Sequence, residues 1–176
     1  TYFSVHPKSI LDNNIFRRKR KRMLVKDEKF ALAIYKIIHI VDHHPIKYKW
    51  IKIVNKVSSP KHTPGEKIIN AFYAGYDTLD ENYDVICKFD ADLVFEPDYL
   101  LNLKLNFENN PRLGIVAGVC YVKKQKEWVL EDLNRNDHIR GALKAYRKEC
   151  FLKIGKLKRS IGWDTIDELL AQYYKW

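Results

Sequence analysis

The chain has 176 residues, 46% of them hydrophobic and 13% aromatic, with a formal net charge of +10. That length bounds it to one domain or most of one, and the aromatic content excludes a wholly disordered polymer. The longest clean apolar run, 115–122, is far too short to span a bilayer, and no secretory signal pattern is visible. The three cysteines, Cys87, Cys120 and Cys150, are odd in number and widely spaced. They read as buried, reduced thiols and point to a cytoplasmic compartment.

Residues 1–26 are basic and poorly patterned, and they carry the run Arg17-Arg18-Lys19-Arg20-Lys21-Arg22. Such a run suits a solvated segment or peripheral contact with an anionic inner membrane face. Nucleic acid is not expected, because no recognition motif accompanies the run. The remaining 27–176 reads as one α/β domain. Over 28–41, Phe30, Leu32, Ile34, Ile37, Ile38 and Val41 recur at loosely helical spacing. The alternating stretch 50–54 (Trp-Ile-Lys-Ile-Val) predicts a strand. Thr63-Pro64-Gly65-Glu66 offers a cap, a first-turn proline and a capping glutamate. The helix that follows presents Ile68, Ile69, Phe72, Tyr73, Tyr76 and Leu79 on one face.

Residues 85–89 predict a short strand. A second helix opens at Pro97-Asp98 and closes at Asn109-Asn110-Pro111. The β-branched stretch 114–122 predicts one buried strand, 123–137 a polar loop and 143–147 another strand. A final helix over 163–176 turns Ile166, Leu169, Leu170 and Tyr173 inward. Strand and helix alternating in this way predict a mostly parallel central sheet flanked by helices.

Ligands of open α/β sheets bind at the carboxyl ends of strands, and Asp90-Ala91-Asp92 falls there. Two carboxylates one residue apart in a turn suit a hard divalent cation that also binds phosphate oxygens. The bland alternative is a capped turn with solvated acids, since Asp-x-Asp arises about once by chance at this composition. Asp164, Asp167 and Glu168 fall on one face of the last predicted helix. One of them is a candidate general base, although acids also favour a helix first turn through its dipole. Arg140, just before the 143–147 strand, is a candidate for holding a phosphate or hydroxyl, and Lys67 near a helix N-terminus for facing a phosphate. Both residue types are also ordinary on surfaces. His39, His43 and His44 lack partners at zinc spacing.

Taken in order, four stretches resemble the family 2 glycosyltransferases. They are 65–71 with Gly75; 84–92 followed by Pro97-Asp98-Tyr99-Leu100; Arg140-Gly141-Ala142 with 146–150 and Ile154-Gly155; and Gly162-Trp163-Asp164-Thr165-Ile166-Asp167-Glu168. The resemblance spans 50–176. It implies the GT-A fold and an inverting, hexosyltransferase-type enzyme using a nucleotide-diphosphate sugar and a glycan or lipid-linked acceptor in polysaccharide synthesis. By position it implies that Asp90 and Asp92, the family's DxD motif, contact Mn²⁺ or Mg²⁺ and the sugar nucleotide. Asp164 becomes the base, with Asp167 the substitute because Trp163 stands where the family has an acid.

The family normally opens with a strand ending in Pro-x-x-Asn-Glu and a second ending in Asp-Asp-Gly-Ser, and neither is present. Residues 1–49 therefore read as divergent, or the domain as incomplete at its N-terminus. Two other classes stay open: a truncated or non-catalytic relative acting as a binding module, and a basic nucleic-acid-binding domain resting on 17–22 alone.

Overall fold

The computed structural model describes residues 3–6, 30–34, 52–57, 64–131 and 138–176. The basic run 17–22, Thr63 and the three histidines 39, 43 and 44 lie outside the described residues. Among the described residues twelve elements follow in chain order: β1 (Phe3–His6), β2 (Phe30–Ile34), α1 (Glu66–Tyr76), β3 (Val85–Phe89), β4 (Leu93–Phe95), α2 (Tyr99–Asn109), β5 (Ile115–Val116), β6 (Val119–Lys124), β7 (Glu127–Leu130), β8 (Leu143–Arg147), α3 (Lys148–Lys153) and α4 (Trp163–Tyr173).

They do not build a mostly parallel central sheet. Two four-stranded sheets form instead, in the orders β4-β1-β6-β7 and β2-β3-β8-β5. Among the described residues only β1/β4 and β2/β3 pair parallel, while β1/β6, β6/β7, β3/β8 and β5/β8 pair antiparallel. The expectation of a parallel, GT-A-type sheet is therefore wrong for this chain. It failed because the order of elements does not encode their pairing. The 114–122 stretch breaks at Ala117-Gly118 into β5 and β6, which join different sheets. Beside its parallel neighbour β2, β3 has β8 running back against it, with Phe89 opposite Leu143 and Val85 opposite Arg147.

Other local expectations also shift. Residues 30–34, expected to be helical, form β2 in register with β3. Phe-Ala-Leu-Ala-Ile is apolar throughout, so periodicity cannot distinguish helix from strand. Residues 52–57 carry no strand. Within the 123–137 loop, β7 returns antiparallel to β6 around Gln125-Lys126, with Gln125 at φ 55°. In α4 the inward line is Trp163, Asp167 and Ala171, whereas Leu169 and Tyr173 are exposed. Phe3–His6, inside the unpatterned 1–26, pairs with β4 and β6.

Strand β3 is buried along its whole length, as a strand covered on both faces must be. Val85, Cys87 and Phe89 pack with Tyr99, Leu103 and Phe107 of α2 and with Leu143 and Ala145 of β8. Ile86 lies on the opposite side with Tyr146, against Ile69 and Phe72 of α1, Phe151 of α3 and Trp163 and Ala171 of α4. All three cysteines are free and buried, and burial pushes the Cys150 thiol up to about 12. Among the described residues no helix is long and apolar enough to cross a membrane.

Gly65 starts α1 at φ 76°. A Cβ there would sit 2.4 Å from the Ser160 carbonyl oxygen, which is backbone and cannot swing away. Gly65→Ala is expected to cost about 2–4 kcal/mol from the left-handed conformation plus the overlap. Urea unfolding checks this, and a loss under about 1 kcal/mol would mean that the 160–161 segment yields freely.

Candidate functional site

The carboxyl end of β3 and the start of β8 meet at one place, and three sequence-distant segments converge there. The Asp90 amide donates to the Ala142 carbonyl at 2.8 Å. Gly141 packs so closely that a Cβ on it would lie 2.8 Å from Trp163 Cζ2 and 2.9 Å from Asp164 Cβ. Asp90, the 140–142 segment and the first turn of α4 are thus neighbours.

Beneath this junction lies a charge arrangement that no motif announced. Lys88 and Lys144 are directly opposite each other across β3/β8, and both are buried. Two like charges at opposed positions repel, so each needs compensation. Lys88 Nζ pairs with Asp90 Oδ1 and lies 5.2 Å from the centre of the Trp163 ring. Lys144 Nζ donates to Asp167 Oδ1 and Glu168 Oε1, each at 2.7 Å, and to the Asp164 carbonyl oxygen. It sits 5.8 Å from the Trp163 ring. The Tyr146 hydroxyl donates to Asp167 Oδ2. Glu168 also accepts from the Ile139 amide at 3.0 Å and lies 3.2 Å from His138 Nδ1.

The expected site residues therefore separate. Asp164 is part-exposed in the first turn of α4. Among the described residues no hydrogen bond or ion pair engages its carboxylate. Asp167 is buried in the ion cluster. Burial raises its carboxyl above the ordinary carboxylate range, and Lys144 with the Tyr146 hydroxyl draws it partly back. A carboxylate so enclosed has no approach to an acceptor hydroxyl, so its geometry is that of an anchor. Arg140 is committed as well: its Nε donates to Glu131 Oε2 at 2.8 Å and its Nη2 to the other carboxylate oxygen. Because the Glu131 amide donates to the Cys120 carbonyl, Arg140 ties the site to β6. Lys67 lies in the first turn of α1, and no described contact joins it to Asp90 or Asp164.

Asp90 and Asp92 flank the turn between β3 and β4. Asp90 keeps 43% of its side chain exposed despite Lys88, and Asp92 is exposed. Among the described residues no group of three or more potential ligands could enclose a cation. Two carboxylates on one turn fit only a cation whose other ligands come from phosphate and water, which is the habit of Mg²⁺. Sequence reasoning missed Lys88, Lys144 and Tyr146. The one signal was a lysine inside each of two short strands, which is costly unless paired.

No family model, curated protein or solved structure matches this chain.

Proposed function

We propose that the chain transfers a sugar from a nucleotide-diphosphate sugar to an acceptor hydroxyl of a glycan or lipid-linked acceptor. One observation supports this above all: Asp90, the 140–142 segment and Asp164 adjoin at the junction of β3 and β8. On this reading the Asp164 carboxylate takes the proton of the acceptor hydroxyl. The freed oxygen forms a bond to the anomeric carbon from the face opposite the diphosphate. The bond from that carbon to the diphosphate breaks, and the leaving group departs with the electron pair. Asp90 and Asp92 would hold Mn²⁺ or Mg²⁺, which supplies positive charge to the diphosphate. Asp167, Lys144 and Tyr146 hold α4 so that Asp164 stays at the junction.

A second reading, a non-catalytic relative that binds a partner, is favoured by two closed pairs. Lys88 engages Asp90, and Glu131 engages Arg140. A thermal-shift titration with UDP and GDP, with and without Mn²⁺, separates the two. Sugar transfer predicts a metal-dependent rise of about 5–10 °C at nucleotide roughly 100-fold above Kd, lost in Asp92→Asn. A cooperatively melting protein that ignores both nucleotides would support the binding module instead.

A further inference from the structure

The β6–β7 hairpin is held to one core through Cys120 of β6, while its outer strand β7 contributes to neither core and is not used by the proposed chemistry. All four residues of β7 are exposed, including Trp128 at 44%, Val129 at 38% and Leu130 at 52%. Three large apolar side chains in a row on an outer strand are unusual for a surface with nothing to cover. The register sets what lies beside them. Lys123 is opposite Trp128, Lys124 is opposite Glu127, and Lys126 sits in the turn. All three lysines are exposed; Lys123 shares the face of Trp128 and Leu130, Lys124 that of Glu127 and Val129, and Lys126 lies at the tip within reach of either.

We propose that this hairpin is a membrane-contact element that seats Trp128 and Leu130 at the headgroup level of an anionic lipid surface, with Lys123, Lys124 and Lys126 on the lipid charges. Trp128 and Leu130 project to the same face of the strand, two residues apart. An indole, apolar in body with a polar N–H, suits the boundary between acyl chains and water. Lysines reach headgroups along flexible stems, and each adds attraction to an anionic leaflet. A second copy of the chain fits the hairpin less well. The net charge of +10 adds repulsion between copies and attraction to the lipid.

The test is flotation of the full chain with vesicles of phosphatidylcholine alone or of phosphatidylcholine with about 30 mol% phosphatidylglycerol, which supplies the negative surface potential. Three variants accompany the wild type: W128S/L130S, K123E/K124E/K126E, and one with alanine at all of residues 17–22. The wild type is expected to float with the anionic vesicles only, less so at high salt. Each hairpin variant should lose partition on the order of tenfold or more, with unchanged circular dichroism and melting temperature. The lysine variant keeps every apolar residue, so a folding defect in the serine variant would not decide the matter. Full binding by both hairpin variants, with loss only in the 17–22 variant, would overturn the proposal. So would absence of flotation in a wild type that sediments as a dimer, with W128S/L130S restoring the monomer.

Discussion

Lys144→Ala is expected to lower stability by about 3–5 kcal/mol, the usual cost of stripping one partner from a buried ion cluster. The lysine is fully enclosed and satisfies Asp167 and Glu168 together. Removing it leaves two acids facing each other, one of them buried beside Tyr146. Lys144→Met separates charge from packing, since it keeps a long apolar stem, and it should lose nearly as much. Lys104→Ala is the control: its pair with Glu108 is a partly solvated helical one at 3.6 Å, worth no more than about 0.5 kcal/mol. Urea unfolding at neutral pH reads all three. If Lys144→Ala costs no more than Lys104→Ala, the cluster does not hold α4 to the sheet.

The deficit also has a pH dependence of defined sign. Burial is the leading influence on Asp167 and raises its carboxyl. A carboxyl raised in the folded state favours the native form most below its unfolded pKa and loses that advantage as pH rises through the folded value. Without Lys144 the main opposing influence is gone, so the folded value climbs further. Lys144→Ala should therefore fall furthest behind the wild type near pH 7 and recover part of the difference towards pH 4.

Why the sequence announced the α4 acids but not their roles follows from the same cluster. Strands β3 and β8 and the core of α1 and α2 were legible because each is bounded by turn residues and places most of its apolar side chains at the spacing of its own element. Their pairing was not legible, because neighbour choice depends on contacts between segments more than fifty residues apart, such as Phe89 with Leu143. The inward face of α4 was misread for a related reason. Leu169 and Tyr173 are the more hydrophobic choices, yet Asp167 points in because Lys144 and Tyr146 wait for it. Hydrophobic periodicity cannot register a buried carboxylate whose partners are on another strand. Arg140 likewise looked available for phosphate, and only the fold reveals Glu131 beneath it.

On the proposed reading, Asp164→Asn is expected to reduce sugar transfer by about 10²–10⁴-fold, the range for losing a positioned general base, or about 3–5 kcal/mol in the barrier. The loss should fall on kcat, with nucleotide binding and melting temperature unchanged, because the carboxylate supports no described contact. What Lys144 holds at this residue is the backbone carbonyl, and asparagine keeps that. Asp167→Asn should do the reverse. It weakens the anchoring cluster, so melting temperature falls, while transfer per folded molecule is largely retained below the transition. The pair of variants thus distinguishes an acid that reacts from an acid that holds the reacting one in place. Transfer abolished in folded Asp167→Asn but preserved in Asp164→Asn would reverse the assignment and require the ion cluster to open for an acceptor. A close Gly141 backbone, with Trp163 and Asp164 packed on it, favours the first outcome: it fixes the α4 first turn beside Asp90 without any movement of the buried charges.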